Sequence, residues 1–200
     1  MIPDFKTPDE LYDYLRANKR LLITAKKSAI KLSDPLNAAI IQEDAKLYAA
    51  KSISAIPDSN FTALSAKLAI NTTNIMDSHS DVHIPGLWNK SLKERRDLYL
   101  LNAHKLTFED IISDQIKAFA QSMTWKELGY NWDKYTEVLI FDTQIEKERN
   151  PYMAEQYAKG RVKNHSVGMR YVTLELAMDS MNEVLAPMKS FIIPGGHQAI

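Results

Sequence analysis

After Phe61 apolar residues recur at every second position, and that period limits the fold more than any other feature of the chain. Leu64, Ala66, Leu68 and Ile70 alternate with polar or small neighbours, as on a half-buried strand, and the run can extend to Ile75. Residues 136–145 (TEVLIFDTQI) form a second β-rich run. Pro85-Gly86 marks a turn, residues 91–97 read as a charged helical turn, and residues 98–101 as a short apolar strand ending beside His104. Residues 108–123 fit both periods, and are divided into a turn of helix at 107–112 and a strand near 115–124. Asn150-Pro151 opens a helix that Gly160 ends, and a strand carrying Ser166 follows to about Met178. Strands so irregularly separated predict an α+β chain, or a small, mostly antiparallel β-barrel decorated with helices, rather than a doubly wound sheet.

Before Phe61 the signals are helical. Thr7-Pro8-Asp9-Glu10 combines a cap, a proline at the first helical position and a closing glutamate, so residues 8–18 read as a short amphipathic helix. Residues 20–31 fit a strand or a continued helix, and residues 33–60 hold two proline breaks around an alanine-rich, helix-compatible piece. A length of 200 residues suits one domain, with residues 1–20 as an arm. The absence of cysteine excludes disulfides, thiolate zinc sites and cysteine nucleophiles. The 25 basic and 25 acidic residues cancel without a dense Lys/Arg block, which argues against nucleic acid as a partner. No apolar run approaches the ~20 residues of a membrane span, and residues 1–5 lack the pattern of a signal peptide. The expectation is a soluble protein that works where it is made.

Ser166, followed two residues later by Gly168 at the head of an alternating run, is a candidate nucleophile, and His104 a candidate base. A serine hydroxyl attacks poorly until a positioned base takes its proton. The plainer alternatives are an edge-strand serine beside a glycine bulge, and a histidine capping a turn. The surroundings are not a Gly-x-Ser-x-Gly elbow, so an α/β-hydrolase fold gains no support. His79-x-Asp81-x-His83 is the rival: on an extended strand the three side chains share a face and could bind a metal ion for hydrolysis, or simply line an exposed strand. Asp142 and Glu175 are candidates to orient His104, although strand carboxylates more often face solvent. His165 points away from Ser166 on a strand, and Trp88, Trp125 and Trp132 read as packing residues.

From about Ile75 to Met178 the chain resembles the prohead proteases of tailed bacteriophages, which act in capsid maturation. The resemblance is carried by residues 76–83 (MDSHSDVH) through Trp88, by residues 100–105 (LLNAHK), by residues 123–129 (MTWKELG) and, most specifically, by residues 157–172 (YAKGRVKNHSVGMRYV). It implies a serine protease related in fold to herpesvirus assemblin, with Ser166 as nucleophile, His104 as general base, residues 77–83 in a barrel strand, and no cofactor or metal. The implied substrates are the phage major capsid protein, scaffold and the protease itself, inside the procapsid in the bacterial host cytoplasm. Such a domain can form a homodimer or dock on scaffold. After Asp179 the chain departs from the family pattern, which implies an open barrel edge and no matching third catalytic residue. His197 is a candidate for that place. The departure in residues 180–200 also raises an alternative, an inactive homologue serving as an assembly component.

Overall fold

The computed structural model describes residues 3–37, 40–41, 61–94 and 97–177. The chain divides into two compact units: Ser33–Val167, and the flanks Met1–Leu32 with Gly168–Ile200.

In the flanking unit, α1 (Pro8–Ala17) begins at Thr7, whose hydroxyl accepts the Glu10 N–H. The Glu10 carboxylate reaches back one residue beyond the cap, to the Lys6 N–H at 3.0 Å. Helix α2 (Lys19–Ser28) resolves the ambiguity of residues 20–31 and gives way to strand β1 (Ile30–Leu32). Strand β10 (Gly168–Arg170) pairs antiparallel with β1.

The larger unit holds β2 (Leu36–Asn37), β3 (Ile40–Ile41), β4 (Ala63–Thr72), α3 (Asn89–Glu94), β5 (Leu100–Leu101), β6 (Ile111–Ser113), β7 (Ile116–Thr124), β8 (Tyr135–Glu146), α4 (Pro151–Ala158) and β9 (Asn164–His165). Its main sheet has the order β3-β4-β8-β7 and is antiparallel throughout. The pairs β2-β9 and β5-β6 are separate and also antiparallel. The chain is therefore α+β, and among the described residues the main sheet is open rather than closed on itself.

Alternation explains both faces of that sheet. Leu64, Ala66, Leu68 and Ile70 of β4 join Leu139, Phe141 and Ile145 of β8 in one cluster, covered by Ala154, Tyr157 and Ala158 of α4. Ala69, Val138 and Ile140 face the other way, into a cluster with Met123, Trp125 and Leu128. The centre of β8 is buried on both sides, which is why VLIF has no polar interruption. Trp125, stacked on Trp132 and edge-on to Tyr130, closes the turn joining β7 to β8. Thr73 and Thr136 satisfy one another's buried polar groups at the same end of the sheet, just past the last residue of β4.

Two expectations are corrected. Residues 107–110 form a turn that passes into β6, so there is no helix at 107–112; Ile111 and Ile112 are buried as strand residues instead. The run beyond Asn164 is not one strand to Met178: it breaks between β9 and β10, at Ser166 and Val167. Among the described residues no helix is long and apolar enough to cross a membrane.

Candidate active site

The fold brings His104 and Ser166 together from 62 positions apart, with His104 Nε2 2.7 Å from Ser166 Oγ. Both side chains are half-buried.

His104 sits on the loop between β5 and β6. The Lys105 N–H donates to the Asn102 carbonyl at 3.1 Å, and Ala103 and His104 between them have φ of +50° and +57°. That is the pattern of a type I′ turn, ordinarily built from Asn and Gly. A residue with a Cβ is strained there by roughly 1–2 kcal/mol, so the surroundings must hold it. Asp110 closes the loop. Its carbonyl accepts the Asn102 N–H at 2.8 Å, and its carboxylate accepts from Thr107 Oγ1 at 2.8 Å and Asn102 Nδ2 at 3.0 Å. Donation from Thr107 is the main reason the Asp110 carboxyl lies below its ordinary range; Asn102 and Lys105 add to this and desolvation opposes it.

Ser166 sits where the ladder stops because Ser33 takes both main-chain groups of Val167. The Ser33 N–H donates to the Val167 carbonyl and the Val167 N–H donates to Ser33 Oγ, each at 2.9 Å. His165, one residue back, is buried, with Nε2 2.9 Å from the Tyr157 hydroxyl of α4. Desolvation lowers the His165 pKa to about 4 and raises that of the Tyr157 phenol. His165 Nδ1 is buried and meets no partner among the described residues. His165 therefore belongs to the packing beneath the site.

Helix α4 and the residues that open it reach the segments carrying both halves of the pair. Asn150 caps it, Oδ1 accepting the Met153 N–H at 3.1 Å, while Nδ2 donates to the Glu109 carbonyl in the His104 loop at 3.0 Å. Arg149 lies 5.0 Å over the Phe108 ring of the same loop.

Among the described residues of the Ser33–Val167 unit, the other candidates do not join the pair. Residues 77–81 make a tight turn instead of the extended strand expected across 77–83. The Asp77 N–H donates to the Asp81 carbonyl, Asp77 Oδ1 accepts from the His79 and Asp81 N–H groups, and Ser80 has φ +59°. This aspartate-centred turn takes His79, Asp81 and His83 off a common face, and His83 Nδ1 accepts from Asn71 Nδ2 at 3.1 Å. Among the described residues no three His, Asp or Glu side chains are placed to hold a metal ion. Asp142 is half-buried on β8, across from Lys67 and Lys117. Glu175 is exposed in the flanking unit, and His197 lies outside the described residues. Ser33 and Tyr157 carry no local sequence signal; Asp110 does, as the end of a Thr107-x-x-Asp110 capping pattern, and so does Asn150, as the residue opening a proline-started helix.

A neutral imidazole at this distance can take the hydroxyl proton as the oxygen attacks an electrophilic carbon. No family model matches the chain, and no curated protein or solved structure matches it.

Proposed function

We propose that the chain is a serine endopeptidase in which Ser166 attacks the scissile carbonyl and His104 serves as general base. The observation that carries this reading is the 2.7 Å contact between His104 Nε2 and Ser166 Oγ, made on a strained turn. His104 accepts the hydroxyl proton, returns it to the leaving amine, and then deprotonates the water that frees the acyl-enzyme. The resemblance to prohead proteases supplies the setting: an assemblin-like barrel, with scaffold and major capsid protein cut inside a phage procapsid in the host cytoplasm, and no cofactor. A second reading, a non-cleaving homologue in capsid assembly, draws on Ser33. The N–H after a nucleophile is a common oxyanion donor, and here Val167 gives it to Ser33.

The test is co-expression with a tailed-phage major capsid protein and its scaffold, as wild type, Ser166→Ala and His104→Ala, with product masses read out. Cleavage by the wild type alone is expected, because the pair acts as a unit and losing either member removes the activated nucleophile. Intact substrates alongside folded wild type favour the assembly component; cleavage surviving Ser166→Ala removes Ser166 as nucleophile.

A further inference from the structure

We infer that Asn150 is a positioning residue for His104, fixing the base-bearing loop against α4 by a bond separable from its capping of the helix. The inference rests on the protease reading for its consequence, though not for its geometry. The loop of residues 102–110 closes on itself through Asp110, which fixes its shape but not its place. Strands β5 and β6 fix its ends, and its far side is held from the start of α4: Asn150 Nδ2 donates to the Glu109 carbonyl, and Arg149, one residue earlier, covers Phe108. Seven residues along the same helix, Tyr157 holds His165, the neighbour of Ser166. One rigid element thus carries tethers to both sides of the 2.7 Å contact, and Asn150 is the tether on the histidine side. Asn150 is buried, and both ends of its amide are used: Oδ1 for the helix, Nδ2 for the loop.

That division makes the two roles testable apart. Ser and Asp cap helices about as well as Asn, yet neither can donate to Glu109 at this position as the amide does, and Asp sets a negative charge against the carbonyl. Ser166 labelling by an alkyl fluorophosphonate, followed as intact mass, needs no known substrate. In Asn150→Ser and Asn150→Asp the labelling rate of the folded protein should fall by about ten- to a hundredfold, the scale of a misplacement near 1 Å, alongside the drop in melting temperature that one lost buried hydrogen bond brings, larger for the charged Asp. The companion readout is the NMR signal of His104 Hε1, which Ser166→Ala should perturb in the parent and leave unmoved in the Asn150→Asp background. Labelling and the His104 response both unchanged in the Asn150 variants would overturn the inference. If the parent itself is not labelled, the protease reading fails, and the NMR comparison alone decides whether Asn150 places His104.

Discussion

His165 and Ser166 are adjacent, yet only one is placed for chemistry. Ser166 is half-buried against His104, while His165 is buried against Tyr157. The opposed directions of neighbouring residues are legible from the sequence, because β alternation sends them to opposite faces. The partner Tyr157 is not, since nothing local marks which phenol will meet the ring. The buried imidazole has a consequence for stability. Unfolded, it takes a proton near pH 6.5; folded, burial defers that to about 4. Between these values the unfolded chain binds the extra proton, so stability falls as pH drops through the window and gains nothing from this group above it. The loss should total about 3 kcal/mol. Urea unfolding at about pH 7 and about pH 4.5 measures it, with Tyr157→Phe/His165→Phe as the comparison that removes both polar partners. The double variant should show a flatter dependence; an equal slope would mean that His165 does not titrate in this way.

At the scale of the element, β4 and β8 are legible because their burial is regular, and a period of two is the direct print of regular burial. The break at Ser166 is not legible, because it depends on Ser33, which is 134 positions from Val167. The turn holding His104 is illegible for a different reason. Ala103 is a poor choice for a left-handed position, so propensity there points away from the conformation that the Asp110 bonds impose. Such a local conflict marks a place where the surroundings hold strain. Ala103→Gly should relieve it without touching either reacting side chain. The relief of roughly 1–2 kcal/mol is partly offset by the greater freedom of glycine in the unfolded chain, leaving a net gain of up to about 1 kcal/mol. A higher urea midpoint at unchanged slope is the expected result; a lower midpoint would show that the positive φ carries no strain here.

Of the two core clusters in the Ser33–Val167 unit, one stands apart from the site, and that separation can be measured. The cluster around Trp125, Val138 and Ile140 contains none of the residues flanking Ser166 or His104. Ile140 is 1% exposed at the centre of β8, where both faces of the sheet are covered. Truncation to alanine leaves a cavity that the stacked Trp125 and Trp132 and the paired strands β4 and β7 cannot readily fill. Ile140→Ala should therefore cost roughly 2–5 kcal/mol, read as a lowered urea midpoint. The folded fraction should nonetheless label at Ser166 at the parental rate, because the tethers from Asn150, Asp110 and Ser33 are unaltered. Asn150→Asp should differ in kind, slowing labelling per folded molecule as well as lowering the midpoint through its lost hydrogen bond. Were Ile140→Ala to slow labelling per folded molecule as much as Asn150→Asp does, placement of the pair would have to be a property of the whole core rather than of a few bonds around α4.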